Sequence, residues 1–129
     1  MAQPSPLFRR VAVIGLGLIG GSLASAIRAH GLAQTVVGYD ARADELALGV
    51  ALGVIDQAAD SLAQAVRGSD LVMLAVPVRA ARSVLAEIRP VLGEDAILSD
   101  VGSTKASFVA GFDVFKRSVI DFHPLATAF

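Results

Sequence analysis

Three groups of residues in this chain have the types and spacing to do chemistry. The first is a Gly-x-Gly-x-x-Gly turn of Gly15, Gly17 and Gly20, with Asp40 lying 20 residues beyond Gly20. The second is Ser103 with Lys105, in the polar turn 100–105, and the third is His123, followed by Pro124. The glycine group suits a pyrophosphate. Gly15 permits a tight turn out of a strand, Gly17 leaves the backbone bare for close approach, and Gly20 lets the next helix pack closely. Free N–H groups and the positive end of that helix, at Leu18 and Ile19, then face the phosphates. Asp40 would accept hydrogen bonds from ribose hydroxyls. His123 suits proton transfer, because an unperturbed imidazole titrates at ~6.5, near working pH. Spacing alone equally allows a half-buried histidine that ends a strand. Ser103 could bond a substrate hydroxyl or cap a short helix, and Lys105 could meet a carboxylate but reads better as solvated.

The elements that must position these residues follow from hydrophobic pattern. Residues 11–14 (Val-Ala-Val-Ile) have no polar alternation, as in a strand buried on both faces. A helix is expected from about Gly20 to Ala29, with Leu23, Ala26 and Ile27 buried and Gly31 as its stop. His30 then sits exposed in the last turn. Residues 35–39 form a second strand ending at Asp40. Asp44 opens or caps a helix carrying Leu46, Val50 and Leu52, which stops at Gly53. Val54 and Ile55 read as a short third strand, and residues 61–67 as a short helix. Asp56, Asp60 and Asp70 fall in separate turns and read as solvated loop acids, so no metal site is expected. Residues 71–76 form a fourth strand stopped by Pro77, lying across the switch point from the first. Val76, Pro77 and Val78 would therefore line the nicotinamide side of a bound dinucleotide. A helix over 79–89 turns Val84, Leu85 and Ile88 inward. A fifth strand covers 96–99, a short helix carries Phe108, Val109 and Phe112, and a sixth strand covers 118–122. Alternating strands and helices predict one doubly wound parallel α/β sheet of the Rossmann type, a single domain over 9–129 behind a mobile lead-in at 1–8.

Composition bounds the partners. The 129 residues suffice for one domain with a real core; 54% are hydrophobic and only 5% aromatic, as for a core of Val, Leu, Ile and Ala. No apolar run reaches the ~20 residues of a membrane span, so no membrane association is expected. The net charge of −1 and the lack of a basic stripe argue against nucleic acid. There is no cysteine, hence no disulfide or thiolate metal site. The first residues are too polar for a signal peptide, and a cytoplasmic protein is expected.

Five segments carry a more specific likeness: Gly15-Leu-Gly-Leu-Ile-Gly-Gly-Ser-Leu-Ala24, Val37-Gly-Tyr-Asp40, Ala75-Val-Pro-Val78, Asp100-Val-Gly-Ser-Thr-Lys105 and His123-Pro-Leu-Ala126. Together they resemble the prephenate and arogenate dehydrogenases of tyrosine biosynthesis, over about residues 10–126. The resemblance implies an oxidoreductase that oxidises the ring alcohol of prephenate with NAD or NADP; loss of CO2 then yields 4-hydroxyphenylpyruvate. It implies that His123 takes the proton of that hydroxyl or polarises it, and that Ser103 bonds the same hydroxyl and His123. Gly15, Gly17 and Gly20 match the pyrophosphate turn and Asp40 the ribose acid. The acid favours NAD over NADP, because a carboxylate repels a 2′-phosphate; Arg42 softens that preference. Two departures stand out. The family continues its His-Pro-x-Ala segment with Gly-Thr-Glu, where this chain has Thr127, Ala128 and Phe129. The family's helical domain, which forms a homodimer and supplies basic substrate contacts, has no counterpart here. The chain is therefore expected to bind NAD and to have little or no activity on prephenate or arogenate by itself. The other readings are a different NAD(P)-dependent dehydrogenase or reductase with the same first domain, and a nucleotide-binding module without chemistry.

Overall fold

The computed structural model of the chain describes residues 6–100. Five parallel strands, β1 (Phe8–Ile14), β2 (Ala33–Tyr39), β3 (Gln57–Ala58), β4 (Leu71–Leu74) and β5 (Ile97–Asp100), form one sheet in the order β3-β2-β1-β4-β5. Between them run α1 (Leu18–Ala29), α2 (Ala43–Ala51), α3 (Leu62–Val66) and α4 (Val78–Ile88), the last followed by a 3-10 turn at Arg89–Val91. The order reverses at β1, with β2 on one side and β4 on the other, and this creates the switch-point crevice.

The apolar run of β1 feeds two cores. Val11 and Val13 join Ala24 and Ile27 of α1 with Val36, Ile55, Leu71 and Met73 on one face. Ala12 and Ile14 join Leu62, Ala65 and Val66 of α3, Leu85 and Ile88 of α4, and Leu98 of β5 on the other. Side chains alternate across a strand, so a run with no polar member must meet helices on both sides. This is the doubly wound α/β sheet expected of the sequence.

Several boundaries differ from expectation, each for a physical reason. β1 starts at Phe8, whose N–H donates to the Leu32 carbonyl. α1 starts at Leu18, and its buried residues are Gly20, Ala24 and Ile27; Ala26 is exposed and Leu23 half-buried. His30 is the exposed C-cap, and Gly31 (φ +62) ends the helix as expected. In α2 only Gly49 is buried, while Val50 and Leu52 face outward. Val54 and Ile55 are not a strand. Their N–H groups both donate to the Gly49 carbonyl, closing the end of α2, and the strand is the exposed pair Gln57–Ala58.

Asp56 and Asp70 are also more than solvated loop acids. Asp56 accepts the Val36 N–H at 2.7 Å and pairs with Arg28 Nε at 2.9 Å. Asp70 accepts the Arg9 N–H at 2.6 Å. Each carboxylate clamps a strand that lies far away in sequence. No described helix is long and apolar enough to cross a membrane. The expected sixth strand and the short helix before it lie outside the described residues.

Candidate functional site

At the carboxyl end of β1 the chain turns through Gly15, whose φ of +98 favours glycine. Crowding requires it too, since a Cβ there would stand 2.5 Å from the Ala75 carbonyl oxygen. A Cβ on Gly20 would stand 1.7 Å from the Gly15 carbonyl oxygen. Gly20 therefore lets α1 fold back onto the turn itself, more than onto the sheet. Gly17 is different. Its φ of −68 and ψ of −160 are open to any residue, and a Cβ there would meet no described atom within 4 Å. Neither conformation nor protein packing calls for glycine at this position.

Gly17 is the N-cap of α1, and no described side chain caps that end. The first N–H groups of a helix have no partner within it. Those of Leu18 and Ile19 thus open toward the space beside Gly17, without an acidic residue in the first turn to compete. The Leu18 side chain is 88% exposed, which nothing in the described packing accounts for.

Asp40, at the end of β2, faces the same turn. Its Oδ2 accepts the Leu16 N–H at 2.7 Å and its Oδ1 accepts the Arg42 N–H at 2.9 Å. Leu16, between the first two glycines, points the other way and is only 6% exposed. Its tip fills a hollow left by Gly38 and Gly49, beside Ile55. The turn is thus anchored below by a buried leucine and above by a carboxylate.

These parts border one cleft of about 770 Å³ at the carboxyl ends of β1, β2 and β4. Gly15, Gly17, Leu18, Ile19, Asp40, Val76 and Pro77 line it, whereas Gly20 lies buried behind the wall. The cleft also takes in Tyr39, Arg42, Glu45, Leu62, Ala80 and Val84. Ala80 and Val84 are one turn apart on α4, next to the buried face of Ala81, Leu85 and Ile88. Val84 packs against the core as expected, and being only half-buried it also forms part of the cleft wall. The apolar period of α4 is visible in sequence, but which flank of it meets a cleft depends on where α3 lies.

The charges on the wall are Asp40, Glu45 and Arg42, and Arg42 makes a loose pair with Asp44. Asp70, whose pKa is lowered chiefly by the N–H of Arg9, belongs to the opposite end of the sheet, just before β4 begins. Ser103, Lys105 and His123 lie outside the described residues.

The family model for the prephenate dehydrogenase nucleotide-binding domain matches residues 23–128. A cyclohexadienyl dehydrogenase of Zymomonas mobilis is 39% identical over 122 residues, spanning 93% of this chain and 42% of that protein. A prephenate dehydrogenase of Bacillus subtilis is 34% identical over 120 residues, 90% of this chain and 32% of that protein. Among solved structures, prephenate dehydrogenase from A. aeolicus in complex with hydroxyphenyl propionate and NAD+ superposes with a TM-score of 0.81 at 30% identity. It covers 91% of this chain and 42% of that one. The chain therefore spans less than half the length of the curated relatives it matches.

Proposed function

This chain belongs to the prephenate dehydrogenase family, as its nucleotide-binding domain, and we propose that its cleft holds NAD for the oxidation of a ring alcohol of the prephenate or arogenate type. The observation that carries the reading is Gly17. A glycine that neither φ nor packing demands is accounted for by a ligand that must touch bare backbone. A pyrophosphate seated there meets the N–H groups of Leu18 and Ile19 and the positive end of α1. Asp40 has acceptor capacity to spare, because an ionised carboxylate offers about four lone-pair sites and each oxygen accepts one backbone bond here. Ribose hydroxyls would take the remainder. Val76 and Pro77, at the end of β4, would shape the nicotinamide side.

When bound, NAD supplies a hydride acceptor. The chain's own part is to hold the ring alcohol and take its proton. By family resemblance His123 is the group that receives or polarises that proton, and Ser103 orients the hydroxyl toward it. An imidazole side chain suits a group that must accept a proton and release it again. A homodimer is the proposed state of the whole enzyme, and the cytoplasm its proposed location.

The test is a titration of the chain with NADH, read by nicotinamide fluorescence, beside Gly17→Ala. Saturable binding is expected for the parent chain, weakened at least about tenfold in the variant, or ~1.4 kcal/mol. Stability should fall by no more than about 1 kcal/mol, since alanine is only a poorer N-cap. No saturable binding, or equal binding by both proteins, would overturn the reading.

A further inference from the structure

Among the described residues, Arg42 is the one cation on the cleft wall. It follows Asp40 by two residues, where the adenosine ribose would sit, and its backbone N–H is held by Asp40 Oδ1. Its guanidinium Nη2 lies 3.4 Å from Asp44 Oδ2. Asp44 itself does not line the cleft. The carboxylate of Asp44 is steadied from its other oxygen, which accepts the Glu45 N–H at 3.0 Å. Asp44 thus turns its second oxygen to the guanidinium, and it does so from outside the wall.

We propose that Asp44 is a specificity-determining residue that works through Arg42. This rests on the cofactor reading above and concerns which form of the dinucleotide the cleft prefers. By pairing with Asp44, Arg42 is held at the rim and its charge is balanced. The wall then meets the ribose with the carboxylates of Asp40 and Glu45 and no unpaired cation. A 2′-phosphate, bringing a charge of about −1.5 to −2, is repelled, while a free 2′-hydroxyl is accepted by Asp40. Freed from Asp44, the same guanidinium has the planar fork that suits phosphate oxygens. The pair is open to water, with side chains 71% and 74% exposed, so it biases the choice without locking it. Exposed pairs have modest energies, and a several-fold effect is the scale to expect.

The experiment measures dissociation constants for NADH and NADPH by fluorescence on four proteins: the parent chain, Asp44→Asn, Arg42→Ala and the double variant. The parent chain is expected to prefer NADH. Asp44→Asn should lower the NADPH-to-NADH ratio of constants by about three- to fivefold, the upper end of what an exposed ion pair is worth. In the Arg42→Ala background the same change should leave the ratio within about 1.5-fold, which marks an effect routed through the guanidinium. An unchanged ratio in Asp44→Asn overturns the proposal. So does an equal shift in the Arg42→Ala background, which would make Asp44 a plain repelling charge. Failure of the parent chain to bind NADH overturns the cofactor reading instead, and is told apart because all four proteins then fail alike.

Discussion

The carboxylate of Asp40 accepts the backbone N–H of Leu16 at 2.7 Å, joining the end of β2 to the turn that ends β1 across 24 residues of sequence. The acid is therefore part of the wall's framework before any ribose reaches it. Asp40→Ala should lose about 1.5–3 kcal/mol, the scale of a hydrogen bond to a charged group. Asp40→Asn keeps an acceptor oxygen for Leu16 but not a second one for Arg42, and should lose less. Urea unfolding of the three proteins checks this. Equal stability of Asp40→Ala and the parent chain would mean that the bond does not hold the turn.

The three glycines should separate by what they fail to do. Gly15→Ala and Gly20→Ala each force a Cβ against backbone oxygen, at 2.5 and 1.7 Å, and backbone cannot step aside as a side-chain tip can. Both should lose stability by about 1–3 kcal/mol or more, as overpacked sites do. Gly17→Ala should stay folded and bind NADH at least about tenfold more weakly. Thermal unfolding of all three variants gives the order, and a Gly17 variant as unstable as the Gly20 variant would contradict it.

Leu16 connects the same turn to α2. Its side chain sits where Gly38 and Gly49 leave room, so Leu16→Ala opens a cavity that neither glycine can fill. A loss of about 2–5 kcal/mol is expected, and about 1.5 kcal/mol or less for Leu16→Met, which keeps the volume. NADH affinity should fall in Leu16→Ala even in conditions where that variant is fully folded, because the turn loses its anchor. A fully folded Leu16→Ala with parental affinity would show that the turn is held by Asp40 alone.

What was legible in the sequence was local. Gly15, Gly17, Gly20 and Asp40 lie at short fixed spacings beside an apolar run; Gly15, Gly17 and Asp40 do come together at one cleft, with Gly20 buried behind its wall. The faces of α1 and α2 were less legible, because Ala26, Val50 and Leu52 are apolar yet point outward. Ile55 is buried, but as the plug behind the end of α2; the true edge strand Gln57–Ala58 is two exposed residues with no period to read. The clamps formed by Asp56 and Asp70 were invisible for another reason. Their partners, Val36 and Arg9, lie 20 and 61 residues away, and only the completed sheet sets them side by side. The anchoring role of Leu16 has no signature in the sequence, because the glycines beside it carry the motif while its own contacts come from β2, α2 and Ile55. Residues 103, 105 and 123 lie outside the described part, so their placement relative to Gly17 rests on the family resemblance.

Asp70 provides the pH prediction. The Arg9 N–H is the main cause that lowers its pKa; burial opposes it, and the Arg10 N–H and the Arg9 guanidinium add to the lowering. The folded state therefore favours the charged form. Its contribution is complete above the unfolded carboxylate value of ~3.9 and disappears as pH falls through the lower folded value. Because the Arg9 guanidinium is 78% exposed and the Asp70 side chain still 31% exposed, solvent screens the pair and about 1 kcal/mol is the expected size. Asp70→Asn should accordingly be less stable than the parent chain at pH 7, and the gap should close as pH falls below the ordinary carboxylate range and through the lowered folded value. Urea unfolding across pH 2.5 to 7 measures that gap. Asp70 stands at the amino end of the sheet, away from the cleft, so the variant should bind NADH at pH 7 like the parent chain. A stability gap that stays constant with pH would mean that Asp70 acts through the shape of its contacts with Arg9 and not through its charge.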